Sequence, residues 1–406
     1  MRIRKRADAD SCARDERAYV GAHDKFRVVI ACGGVAALEA MVALRVLAED
    51  RVEMTLVAPD EVFAYRPLAV AEPFGFGTIV RFPLRALAAG CGATYEQGAL
   101  VLVTPDAGSI YTSRSRTLEY DALLVAAGAR VDEGIKGAVT FGGPNDMRAI
   151  EMLLEDLESG LARRVVFAVP TGIGWTLPLY ELALLTAERV AEAELDAELT
   201  LVTPEESPLG VFGPEASAKV STLLRDRGVV VRSGLHARAF ADGRLEIAGR
   251  DPIPADWVLT LPRLSGRIID GVPHDKDGFV PTDGFGRVVG VHSIYAGGDM
   301  TAFPIKQGGI AAQQADAAAE AIAAEAGADI VPKPFKAVLR GLLLTGGRPA
   351  FLRAEIGRRN NEPSMVTEEP LWWPAGKIAA RYLAPYLAEY ARSPSGSRYE
   401  PSRLLV

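Results

Sequence analysis

A strand, a glycine-containing turn, an apolar helix and a second strand follow one another twice in this chain. The first copy runs "FRVVIACGGVAALEAMVALRVLAEDRVEMTLVAPDE" and the second "RRVVFAVPTGIGWTLPLYELALLTAERVAEAELDAELTLVTPEE". Apolar runs such as "RVVI" and "RVVFA" show no polar alternation, which is the pattern of parallel strands covered on both faces. The intervening segments repeat at helical spacing, and the two second strands end alike, "TLVAPDE" and "TLVTPEE". A chain of 406 residues exceeds what one core accommodates. The pattern therefore predicts an α/β protein with two Rossmann-like, three-layer domains in tandem, followed by an appendage.

Other classes are disfavoured. The net charge of -7 gives no electrostatic reason to expect nucleic acid. The cysteines, Cys12, Cys32 and Cys91, are widely spaced and form no metal-ligand pattern with the four histidines, so neither a metal site nor a disulfide framework is expected. The stretch 1–25 starts basic but lacks the apolar core of a signal peptide and reads as a disordered tail. No apolar run is long enough to span a bilayer, which makes the cytoplasm the expected compartment.

Three pieces carry the chemistry. The first turn, "ACGGVAA", places Cys32, Gly34 and Ala37 at the three small positions of a dinucleotide fingerprint, with Gly33 and Ala36 between them. "DALLVAAGA" ends a strand on Ala127 and Gly128, and "SIYAGGDMTAFPIKQGG" brings Gly298, Asp299, Lys306, Gly308 and Gly309. In this order the chain resembles the glutathione reductase-like flavoproteins with two dinucleotide-binding domains. "PLYELALL", "TLVTPE" and "GFVPTD" are most similar to sulfide:quinone oxidoreductases and type II NADH dehydrogenases. The resemblance implies an FAD-binding domain in 26–145 and 266–330, a second dinucleotide-type domain in 146–265, and a cap or interface segment in 331–406.

By that resemblance FAD is the cofactor, held non-covalently. Cys32, Gly33, Gly34, Ala36 and Ala37 would pass over its pyrophosphate at a helix N-terminus, and Ala127 and Gly128 would let the chain come close. Asp299 would accept ribityl hydroxyls, or else be an ordinary turn aspartate. Gly308 and Gly309 would open a helix aimed at the flavin pyrimidine, where Lys306 adds charge, unless Lys306 is a surface lysine. Asp60 stands two residues beyond the place of the usual ribose acid, with Glu61 as its rival and a solvated loop as the alternative. Cys32 is read as a small residue tolerated at negative φ.

The departures narrow the chemistry. Trp175 occupies the place of the cysteine that sulfide:quinone oxidoreductases carry after the second turn, so thiolate attack on sulfide lacks its nucleophile. Pro170, Gly172 and Trp175 fall at the three small positions of that turn, which compromises a nicotinamide dinucleotide site, although Trp175 also reads as a core aromatic. Glu181 matches a family glutamate or is a solvated helical acid. Gln313 matches one of two glutamines that quinone-reducing relatives carry, with Gly309 at the other. In "LWWPAGKIAARYLAPYLAEYA" aromatics lie beside Lys377 and Arg381. That suits peripheral membrane contact, or a packed cap or homodimer contact through 370–390, the latter favoured because Pro374 and Pro385 would break an anchor helix. The expected function is an FAD-dependent oxidoreductase with small-molecule partners, an unidentified donor and a quinone or other small acceptor. An NAD(P)H dehydrogenase and a flavin-binding protein without turnover are the alternatives, and no catalytic acid, base or nucleophile stands out.

Overall fold

The computed structural model describes residues 25–357 and 364–392. The tail read in 1–25, apart from Lys25, and Cys12 with it, lie outside the described residues, as do 393–406. The first copy forms β1 (Phe26–Ala31), α1 (Val35–Ala48), β2 (Val52–Ala58), β3 (Thr94–Gln97) and β4 (Ala122–Val125). The second forms β5 (Val139–Thr140), α2 (Met147–Glu158), β6 (Arg164–Ala168), α3 (Leu177–Glu192), β7 (Glu198–Val202), α4 (Pro214–Asp226), β8 (Val229–Arg232) and β9 (Trp257–Thr260). After these come β10 (Ile294–Ala296), α5 (Gly308–Glu325), β11 (Val338–Leu343), β12 (Ala350–Glu355), β13 (Met365–Thr367) and α6 (Leu383–Arg392).

The two main sheets are parallel and ordered alike. The first runs β10-β4-β1-β2-β3 and the second β5-β9-β6-β7-β8. Their registers correspond, with Ala31 opposite Val57 in one and Ala168 opposite Val202 in the other. The unbroken apolar runs have the expected cause. Val28 and Ile30 face the helical layer, while Val29 and Ala31 face a second core with Val103, Ile110 and Tyr120. In the second sheet Val165 and Phe167 face helices, and Val166 and Ala168 face Leu245 and Ile253. The covering layer opposite the helices is in each case a three-stranded antiparallel meander, at 100–119 and at 237–254.

In α1 apolar residues are buried around most of the circumference, since the helix lies between β1 and the alanine-rich α5. Small side chains on both helices allow close approach of their axes. The strands β11, β12 and β13 make an antiparallel sheet of their own. The last segment, 372–392, runs as a strap over α1, α5 and α3. Pro385 falls in the first turn of α6, where an N–H has no intrahelical partner, and no helix runs through 370–382 as an extended anchor would need.

Candidate functional site

The strand ends position the site. Ala31, Val125 and Ala296 are paired across β1, β4 and β10, so the turns that leave them stand side by side at the carboxyl edge. Strand order reverses between β1 and β4, and ligands of open parallel sheets bind at such a reversal. Cys32, Ala127, Gly128, Gly298 and Asp299 are thus brought together by topology, with Gly33, Gly34, Ala36 and Ala37 at the adjoining start of α1.

The first turn corrects one expectation. Cys32 has φ +95°, not a negative value, in a region that L residues rarely occupy. Its N–H continues the sheet ladder to the Val57 carbonyl at 2.6 Å, which holds the cysteine in a conformation suited to glycine. Burial raises the Cys32 thiol pKa, so the group stays protonated. A Cβ on Gly33 would strike Leu84, whereas one on Gly34 or Gly128 would meet nothing within 4 Å. Gly34 caps α1 without a side-chain hydrogen bond, leaving helix N–H groups uncapped by it. Ala36 and Ala37 are buried, and Ala36 lies 3.3 Å from the position of a Cβ on Gly298.

Gly298 has φ +80° and donates its N–H to Gln314 Oε1 at 2.8 Å, while Ala127 N–H points to Met300 Sδ at 3.3 Å. The first bond ties the 298–300 turn to α5, and the second ties the 126–128 turn to 298–300. The Asp299 carboxyl has no hydrogen bond or ion pair among the described residues, although burial raises its pKa and the charges of Lys306 and Arg66 oppose the shift. An acceptor so placed without a protein partner fits a hydroxyl-bearing ligand. Arg66 also faces Cys32, as does Arg267, so cationic side chains border the turn.

Lys306 is not a surface lysine. It is partly buried, with Nζ 3.9 Å from the Phe279 ring centroid and donating to the Thr301 carbonyl. Burial lowers its pKa to about 8, against the raising influence of Asp299 and Asp275. Gln307 caps α5 by accepting from Ile310 N–H at 2.8 Å. Gly308 opens the helix under Ile378, whose side-chain atoms lie 3.1 Å from the position of a Cβ there, and Gly309 follows it. Asp60 and Glu61 are solvent-facing, and the Asp60 carbonyl accepts from Tyr95 OH at 2.6 Å.

The second turn is built differently from the first. The paired registers match Cys32 with Val169, since each donates its N–H to the equivalent carbonyl, Val57 or Val202. Residues 32–34 suffice to enter α1, but 169–176 separate β6 from α3. The spacing Pro170, Gly172, Trp175 therefore imitates a fingerprint without forming its tight turn. Pro178 sits in the first turn of α3, where it is well accommodated. Trp175 packs edge-on against Phe212 with centroids 5.9 Å apart. A cleft of about 510 Å³ opens here, lined among others by Ile173, Gly174, Ser207, Val211 and Ile305.

Sequence reading overlooked Glu205 on the rim of this cleft. The register matches it with Asp60, the end-of-strand acid, yet it turns inward. It accepts from Tyr180 OH at 2.6 Å, Thr203 Oγ1 at 2.9 Å and Thr176 Oγ1 at 3.3 Å, while burial raises its pKa. The repeated "TLV-x-P-acid" ending was the available signal.

Two further side chains have structural partners. Gln313 donates to the Gly309 and Val338 carbonyls and accepts from Val338 N–H at 2.9 Å, latching α5 to β11. Glu181 is buried, not solvated. It accepts from Leu344 N–H at 2.8 Å and from Lys377, whose ammonium also donates to the Leu342 carbonyl at 2.9 Å. The strap that supplies Lys377 is a packed cap, with Ile378, Leu383 and Leu387 buried and Trp373 79 % exposed. No helix among the described residues is long and apolar enough to cross a membrane.

Comparison with known proteins agrees with this architecture. An NADH dehydrogenase-like protein of Mycobacterium tuberculosis is 24 % identical over 238 residues, 55 % of this chain and 58 % of its own length. The sulfide-quinone reductase of Aquifex aeolicus is 22 % identical over 264 residues, 61 % of each. The chain thus spans about three fifths of the curated relatives it matches. The solved structure of the sulfide:quinone oxidoreductase from Aquifex aeolicus superposes with a TM-score of 0.75 at 20 % identity, covering 84 % of this chain and 87 % of that one. A ferredoxin reductase from Rhodopseudomonas palustris gives a TM-score of 0.62 at 17 % identity, over 80 % of this chain and 81 % of that one. The family model of the pyridine nucleotide-disulphide oxidoreductases matches residues 26–321. The chain therefore belongs to the pyridine nucleotide-disulphide oxidoreductase family and has its fold of two Rossmann-like domains.

Proposed function

We propose that this protein is an FAD-dependent oxidoreductase that passes electrons through a non-covalently held flavin, from a donor other than sulfide, to a quinone or another small acceptor. The observation that carries the reading is the convergence of the 32–37 turn, Gly128 and the unpartnered Asp299 at one strand-order reversal. Bound FAD supplies the two-electron carrier. The residues 26–145 and 266–330 would form its domain, with 146–265 as the second domain.

In this site the start of α1 and Gly33–Gly34 bind the pyrophosphate through backbone N–H groups. Ala36 and Ala37 permit close packing there, and Ala127 and Gly128 give the ligand room. Asp299 accepts ribityl hydroxyls beside Gly298, and Asp60 lies on the adenosine side. The N-terminus of α5 at Gly308–Gly309, with Lys306, stabilises negative charge on the ring. Cys32 shapes the turn and carries no redox role.

The test is spectroscopic. The purified protein, incubated with FAD, should show the flavin absorption bands, and Asp299→Ala should weaken FAD binding about 10- to 100-fold, as loss of hydrogen bonds to a charged acceptor implies. Absence of any flavin spectrum defeats the reading, and unchanged affinity removes Asp299 from the site. An anaerobic screen with NADH, NADPH, sulfide and hydroquinones then identifies the donor. An NAD(P)H dehydrogenase is the second reading, favoured by the cleft beside the second turn. A flavin reducible by dithionite alone would identify a binding protein without turnover.

A further inference from the structure

Two acids, one buried and one half-buried, meet where the helices that enter the proposed flavin site pack together. Glu39 of α1 is fully buried, and its carboxylate accepts from the backbone N–H groups of Tyr382 at 2.9 Å and Leu383 at 2.5 Å. These lie at the start of α6, so Glu39 acts as the anion at that helix N-terminus. Asp316 of α5 is hydrogen-bonded to Glu39, while its Oδ1 is buried with no partner. A carboxyl–carboxyl hydrogen bond requires a proton, because neighbouring carboxylates in a dry interior do not both ionise.

We propose that one proton shared between Glu39 and Asp316 holds the strap 377–392 closed over the start of α5, and that loss of this proton releases α6. Glu39 keeps the charge that α6 needs and Asp316 holds the proton. Burial and the Glu39 charge raise Asp316 to about 9, and burial raises Glu39 as well. The other groups facing the pair are Glu320 on α5, Arg340 on β11, and Arg381 and Tyr382 on the strap. Arg381 is engaged with Glu320 at 3.7 Å and is largely exposed, so its compensation is weak. A second negative charge is poorly relieved by water, because Glu39 is fully buried and Asp316 is half-buried with its Oδ1 shut off from solvent. It is relieved by moving the strap, whose other polar ties include Ile378 N–H to Tyr65 OH, Lys377 to Glu181 and to the Leu342 carbonyl, Tyr386 OH to the Leu87 carbonyl, and Arg381 to Glu320. Release also lifts Ile378 from Gly308 and uncovers the first turn of α5.

Trypsin reads the latch directly, because Lys377 is buried in the closed strap. With the full chain and an unstructured peptide to correct for the protease, cleavage after Lys377 should rise with pH. The rise should approach about tenfold per pH unit while the closed strap keeps the shared proton and the opened strap does not, and should level off above about pH 9. Asp316→Asn, which keeps a donor to Glu39 and cannot ionise, should give a flat profile. Glu39→Gln removes the second charge and leaves one carbonyl acceptor for the two N–H groups, so its cleavage should be faster at every pH but should not rise with pH, which keeps the test available if the first variant folds poorly. A flat wild-type profile up to pH 10, or the same rise in wild type and variants, overturns the proposal. The outcome does not depend on flavin or activity.

Discussion

Lys377 and Glu181, 196 positions apart in the chain, meet in an ion pair closed off from solvent between the C-terminal strap and α3. Burial lowers the lysine pKa and raises the glutamate pKa, and each charge opposes the other's shift. Removing one partner leaves the other desolvated. Lys377→Met is therefore expected to destabilise the fold by about 3 to 5 kcal/mol, whereas Lys377→Met with Glu181→Leu should recover part of that loss. Denaturant titration of the singles and the double closes the cycle, and an additive double would contradict direct pairing.

At the first turn, Cys32→Gly should stabilise the protein by about 1 kcal/mol, since the left-handed backbone favours glycine there. Cys32→Val should destabilise it, because a β-branched residue tolerates that region worst. Thermal unfolding of both variants checks the sign. A destabilised Cys32→Gly would mean that side-chain packing outweighs backbone strain.

Lys306 makes a pH prediction. Its pKa is lowered to about 8, so its charge is present below that pH and lost as pH rises through it. Stabilisation of a negatively charged reduced flavin follows the same direction. The flavin midpoint potential should fall more steeply with pH above about 8, and Lys306→Met should abolish this break and lower the potential at pH 7. Spectroelectrochemical titration distinguishes these outcomes.

Trp175 and the long 169–176 connection predict slow reduction by NADH. Trp175→Gly should accelerate it by opening the space beside Phe212, and Pro170→Gly alone should do less. Ordinary wild-type turnover at micromolar NADH would instead establish the second reading. Sulfide should reduce the flavin equally poorly in wild type and Cys91→Ala, because burial keeps both described thiols protonated.

The layered fold was legible because burial on both faces writes itself into the chain. Val28 to Ala31 and Val165 to Ala168 have no polar member to hide, and their order with the helices fixes the sheet class. The candidate site was legible where small residues coincide with strand ends, as at Gly34, Gly128 and Gly298. Features set by distant partners were not. The positive φ of Cys32 depends on the Val57 carbonyl, and the second turn's length depends on where α3 begins. Glu39 and Asp316 lie on helices far apart in the chain, and the sequence held no indication that they meet.

The edge strand β10 gives the two sheets different timetables. The second sheet has all its strands once residue 260 is made, whereas the first lacks an edge until 294–296 arrives. Domains generally fold as units during synthesis, at about 5 to 20 residues per second. On the ribosome the second sheet can therefore be completed first, while the earlier strands of the first sheet wait with one side of β4 unpaired. That open side is the part of the nascent protein most exposed to wrong strand pairing, and it closes in the same stretch of synthesis that delivers Asp299 to the carboxyl edge of the first sheet.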